Sequence, residues 1–114
     1  MGEYVGIWRF RLHQDTDRAE FERLTGLLSR FFAPVPGVRQ YSLHRKDPAA
    51  DKTVDDYITI ERWESPEVHA RTVQEMMRQI GDGAPGELQQ AYEALSKRNA
   101  MCASALYEAF LPVG

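Results

Sequence analysis

The sequence predicts an α+β fold in which an antiparallel sheet carries its helices on one face. Three observations predict it. Four segments are rich in aromatic and β-branched residues with period-two stretches, three others repeat apolar residues at helical spacing, and together they run β, α, β, β, α, α, β. That order, βαββααβ, is a ferredoxin-like split βαβ pattern with one helix added before the last strand. Segregating the helices to one face of the sheet is how such an order buries its apolar surface.

The first strand is YVGIWRFRLH, residues 4–13, where Trp8, Phe10 and Leu12 alternate with Arg9, Arg11 and His13. Asp15 and Thr16 supply cap chemistry for a helix over about 17–32, with Phe21, Leu24, Leu27, Leu28 and Phe31 on its apolar side. Pro34, Pro36 and Gly37 stop it. Residues 38–46, VRQYSLHRK, make the second strand. The polar run 47–56 loops to the third, Tyr57 to Trp63. Ser65, Pro66 and Glu67 then start a helix: a hydroxyl accepts free amide hydrogens, proline suits the first turn, and an acid suits the positive helix end. His69, Val73, Met76, Met77 and Ile80 share one face of it, and Gly81 follows as a C-cap. After the break GDGAPG, residues 81–86, a third helix over about 87–101 carries Leu88, Ala91, Tyr92 and Leu95, and the last strand is ASALYEAFL, 103–111.

The strands are not clean alternators. On the first, Val5 and Ile7 are apolar as well as Trp8 and Phe10, so both faces of the sheet need cover while the helices shield only one. A second copy on the open face predicts a two-fold homodimer.

Composition narrows the function. The 114 residues suit one domain, 1–114, long enough to bury roughly two thirds of its unfolded surface without disulfide or metal staples. A net charge of −3 argues against a nucleic-acid partner, which wants a basic face. No stretch has a membrane span's length or the apolar run of a signal peptide, and a membrane partner is not expected. Cys102 stands alone, so no internal disulfide forms and no zinc spacing accompanies it; a reducing, cytoplasmic location fits.

With this layout, the run Y-x-T-x-E-R-W-E-S-P-E, residues 57–67, resembles the antibiotic biosynthesis monooxygenase family of dimeric α+β barrels. The likeness extends over nearly the whole chain, and Glu61, Trp63, Glu64 and Ser65 are its most specific residues. It implies a dimeric α+β barrel with a pocket per subunit between sheet and helices, used by the monooxygenase members without flavin or metal. There an electron-rich phenolate or enolate supplies electrons to dioxygen, and the protein deprotonates the substrate, shields it and stabilises the anion. The expected activity is a cofactor-independent monooxygenation of a small aromatic or polyketide-like phenol or quinol. A polyketide cyclase or isomerase using the same pocket for proton transfer, and a non-catalytic ligand-binding protein, are the alternatives.

Strand periodicity places Tyr57, Thr59, Glu61 and Trp63 on one face, polar and aromatic enough to line a pocket. Trp63 reads as a substrate contact or a packing residue with a satisfied indole N–H. Glu61, beside apolar groups, can be a proton shuttle of raised pKa, or an ion-pair partner of Arg9 or Arg11. His69 can act as a general base near working pH or as a hydrogen-bonded core residue. By resemblance, an Asn four residues before the Trp or on the first strand binds substrate; here Thr59 holds the former position and the one Asn is Asn99. Haem-degrading relatives carry an axial His about ten residues after the Trp, where this chain has Val73, so haem chemistry is not expected. The expected catalytic set is thus Trp63, Glu61, His69 and Thr59, and the expected substrate-binding set is Tyr57, Tyr41, Met76, Met77 and Arg9. Tyr107 is a third tyrosine able to reach a phenolic oxygen.

Overall fold

The computed structural model describes residues 3–49, 53–81, 86–94 and 101–113. Its elements are β1 (Tyr4–Leu12), α1 (Arg18–Phe32), β2 (Val38–Arg45), β3 (Tyr57–Trp63), α2 (Pro66–Gly81), α3 (Gly86–Ala94) and β4 (Cys102–Phe110), the order expected. The four strands form one antiparallel sheet in the order β2-β3-β1-β4, so the first strand is central and the second and fourth are edges.

Period-two side-chain alternation sets what each face buries. On β3, Tyr57, Thr59, Glu61 and Trp63 are all buried while Arg62 is exposed. On β1 the matching side is Gly6, Trp8, Phe10 and Leu12. Helix α1 lays Phe21, Leu24, Thr25, Leu28 and Phe32 on this face, and α2 contributes Val68, Thr72 and Met76. Thr25 and Thr72 sit in apolar surroundings because each hydroxyl donates to the carbonyl one turn back, Phe21 and Val68.

Some local expectations need correction. The cap of α1 is Asp17 rather than Asp15 or Thr16: its backbone is extended and its Oδ1 accepts the Glu20 N–H at 3.2 Å. The Thr16 hydroxyl instead donates to the Met101 carbonyl at 3.0 Å, tying the start of α1 to the start of β4. The α2 start is as read: Ser65 Oγ accepts the Val68 N–H at 3.2 Å. Its buried stripe, however, runs through Val68, Thr72 and Met76, and Met77 is 41% exposed. Leu95, the rest of the third helix beyond Ala94, and residues 82–85 of the GDGAPG connector lie outside the described residues.

The other sheet face carries Val5, Ile7, Ile58, Ile60, Leu106 and Phe110, with Leu106 54% and Phe110 47% exposed. Several of its charged groups are internally paired: Arg9 with Glu108 and Asp55, and Glu3 with both Arg39 and Arg62.

Candidate functional site

Between the helix-bearing face and α2 lies a cavity of about 590 Å³, within the range of small-molecule sites. Its floor is Glu61 and Trp63 of β3, flanked by Trp8 of β1, Tyr41 of β2 and Tyr107 of β4; Leu28 and Phe32 of α1, Val73, Met76 and Met77 of α2, and Tyr92 of α3 wall it in apolar surface. His69 stands at the α2 end of this lining.

The polar centre is built by three strands and one helix. Glu61 lies opposite Gly6 on β1 and Tyr41 on β2. It is only 3% exposed, and its Oε1 accepts the Trp63 indole N–H at 3.0 Å and the Tyr107 hydroxyl at 3.3 Å. The Tyr107 oxygen is also 3.2 Å from His69 Nε2. This convergence depends on Gly6: a Cβ there would lie 2.1 Å from the Tyr107 hydroxyl oxygen. Because α2 begins at Pro66, only three residues after Trp63, His69 comes back over that indole, edge-on at 4.9 Å, while Tyr4 packs at 4.9 Å and Tyr107 stacks parallel at 5.8 Å.

Burial decides the protonation of these groups. It pushes the Glu61 carboxyl above the ordinary carboxylate range, against hydrogen bonds from Trp63, Tyr107 and Trp8 that favour the anion. It pulls the His69 imidazole below its ordinary value, so the ring is neutral at pH 7. The hydroxyls of Tyr41 and Tyr107 are held well above the usual tyrosine range, by burial first and the nearby Glu61 second. The site therefore offers a carboxyl group of raised pKa, a neutral imidazole and two neutral phenols in an aromatic chamber. That combination can remove a proton from a bound hydroxyl or activated C–H group.

Of the residues expected from sequence, Glu61, Trp63, His69, Tyr41, Met76 and Met77 line this cavity. Thr59 does not: it is 0% exposed, set between Trp8 and Leu43 in the sheet register, and its hydroxyl has no partner among the described residues. Tyr57 does not either. Its hydroxyl is spent on Glu22 at 2.5 Å, a carboxylate shared with Arg45. Arg9 points to the opposite face, with Nε 2.6 Å from Glu108 and Nη1 3.3 Å from Asp55, so it is the ion-pair partner of those acids and not of Glu61. Trp8, Leu28, Phe32 and Tyr92 are lining residues that the sequence reading passed over. Trp8 had a usable signal, since it shares the alternation of Phe10 and Leu12. His69 Nε2 lies 3.2 Å from the Tyr107 hydroxyl, and Val73 is part of the apolar wall of the cavity.

A ferredoxin-like antiparallel sheet with an aromatic pocket under its helices defines the class: in fold this is an α+β protein like the antibiotic biosynthesis monooxygenases, as the run at 57–67 suggested. In particular, it is similar to SnoaB, a cofactor-independent oxygenase from Streptomyces nogalater, at 23% identity and a TM-score of 0.68 over 100% of this chain and 96% of that one. A candidate antibiotic biosynthesis monooxygenase from Chloroflexus aurantiacus is 22% identical, with a TM-score of 0.59 over 99% and 95% of the two chains. A dimeric ferredoxin-like protein of unknown function from Thermobifida fusca is 16% identical, with a TM-score of 0.67 over 96% and 92%. No protein-family model and no curated protein matches the sequence. No described helix is long and apolar enough to cross a membrane.

Proposed function

We propose that this chain, as a single domain, is a cofactor-independent monooxygenase of small aromatic or polyketide-like phenols and quinols. The observation that carries the reading is the buried Glu61 carboxylate, held by Trp63 and Tyr107 at the floor of an aromatic cavity. Glu61 takes the proton of a bound hydroxyl or activated C–H group, and its raised pKa makes it a stronger base than an exposed carboxylate. Trp8, Tyr41 and Trp63 clasp the flat ring, while Leu28, Phe32, Met76 and Met77 exclude water from the anion. The carbanion form of the substrate then adds dioxygen; one oxygen atom stays as a carbonyl and the other leaves as hydroxide, which takes a proton from solvent to become water. The likeness to SnoaB supports this choice of chemistry.

Oxygen uptake by the purified protein over a panel of anthrones and hydroquinones tests the proposal. We expect uptake above the uncatalysed rate that is lost in Glu61→Gln, and no such uptake across the panel would refute it. One observation favours a second reading. No Asn or Gln side chain lines the cavity among the described residues, and cyclase or isomerase chemistry through an enolate needs no amide to hold an oxygen intermediate. Turnover that persists under nitrogen would select it.

We also infer a homodimer joined through the open sheet face. The apolar set Val5, Ile7, Ile58, Ile60, Leu106 and Phe110, beside the paired charges Arg9–Glu108 and Arg62–Glu3, is suited to an isologous contact. A cytoplasmic location fits the lone buried Cys102, whose thiol is pushed up to about 11 by burial and is correspondingly inert.

A further inference from the structure

We propose that Glu61, Tyr107 and His69 form one proton relay, in which the Tyr107 hydroxyl passes the proton taken from the substrate out of the cavity to His69. The inference rests on the reading of Glu61 as the base. Glu61 is 3% exposed and so needs an exit for the proton it receives, whereas His69 is partly exposed. The Tyr107 oxygen is the atom between them, 3.3 Å from Glu61 Oε1 and 3.2 Å from His69 Nε2. Both spacings are at the long end of hydrogen-bond reach, as catalytic contacts commonly are before substrate is bound.

The proton count closes. Protonated Glu61 donates to the Tyr107 oxygen as the Tyr107 hydroxyl donates to neutral His69 Nε2, leaving a carboxylate, an intact phenol and an imidazolium. The imidazolium then gives a proton from its other ring nitrogen to water, and exchange of the ring tautomer resets the chain. No phenolate forms at any point, as the strongly raised pKa of Tyr107 requires. The titratable groups around this chain are Tyr4 from β1, packed on His69, and, in the cavity lining, Tyr41 from β2 and Tyr92 from α3, while α1 and α2 present Leu28, Phe32, Val73 and Met76. No Arg or Lys is among the described lining residues, so no fixed cation competes for the carboxylate. The imidazole is also held in place, between the Tyr4 ring, the edge of Trp63 and the parallel ring of Tyr107.

The test pairs a spectroscopic arm with a kinetic one. In the wild type, nitrogen NMR of the His69 imidazole should show a two-step titration, because coupled sites share their macroscopic steps. In Tyr107→Phe, which keeps the ring, it should collapse to one step; a single step in the wild type would overturn the relay without recourse to any variant. In the kinetic arm, Tyr107→Phe should lower kcat about 100-fold, the usual worth of a placed proton-transfer group, and leave KM within about twofold. Turnover of His69→Ala should be restored by imidazole added to the buffer. Oxygen uptake with an unchanged kcat in Tyr107→Phe would overturn the relay and leave the oxygenase reading standing. A coupled titration with no uptake on any substrate would do the reverse.

Discussion

Replacing Gly6 by alanine asks whether the Tyr107 hydroxyl is placed by the missing side chain opposite Glu61. An alanine Cβ would lie 2.1 Å from the Tyr107 oxygen, 2.7 Å from Cζ and 2.9 Å from Cε1. Non-bonded carbon atoms rest at about 3.5–4.0 Å, so the ring must withdraw by roughly 1 Å or the strands must part. The two hydrogen bonds start at 3.3 and 3.2 Å and cannot survive such a retreat. Overpacking of this kind costs about 1–3 kcal/mol, and a buried carboxylate that loses a donor adds to it. Thermal unfolding followed by circular dichroism should fall on the order of 10 °C, at about 4–8 °C per kcal/mol for a domain near this size. Turnover should fall with it, as in Tyr107→Phe. A Gly6→Ala protein that melts within about 2 °C of the wild type and keeps its His69 titration would refute the argument that this glycine positions the tyrosine.

Glu61→Gln should separate function from stability through pH. The folded pKa of Glu61 is raised, so the native state holds a proton that the unfolded chain releases above its ordinary value of 4.5, and wild-type stability declines as pH rises from there through the folded pKa. The variant lacks that decline: its melting temperature should exceed the wild type's at pH 8 and match it near pH 4, and equal pH slopes would contradict this. Thr59→Val removes an unpartnered buried hydroxyl and should stabilise by about 1 kcal/mol in denaturant titration; a loss of stability would show that the hydroxyl has a use. On the open sheet face, the proposed dimer predicts a wild-type mass twice that of the chain in light scattering and a monomer for Leu106→Asp; a monomeric wild type, or an unchanged dimer mass in the variant, would contradict a dimer joined through this face.

Element types were legible because their signals are local. The alternation Tyr57, Thr59, Glu61, Trp63 and the Ser65-Pro66-Glu67 start depend only on neighbours in the chain, and β3 and α2 follow them. Glu61 and Trp63 reach the cavity for the same reason. What the sequence could not convey was register. That Tyr107 crosses Gly6 toward Glu61 depends on which residues of β1 and β4 pair, a non-local choice set by the whole sheet. Arg9 could be assigned to a side of its strand, but its link to Glu108, 99 residues away, is again a matter of register. Tyr57 illustrates a different limit. It shares a face with Glu61, yet lies at the other end of the strand, where Glu22 of α1 claims its hydroxyl. Thr59 shares that face too and is sealed by its cross-strand neighbours Trp8 and Leu43.

The central position of β1 has a consequence for how the molecule comes to exist. One of its two neighbours, β4, lies about a hundred residues further along the chain, with Arg9 and Glu108 99 residues apart. During synthesis the β2-β3-β1 portion can assemble first, and it then carries the unpaired amides and carbonyls of β1 as a temporary edge until the last strand arrives. Closing so long a loop slows folding. It also means that the strand bearing Tyr107 is added last, so that nascent chains would hold Glu61 without its tyrosine, and the period of greatest exposure to misassociation would be the period before the site is complete.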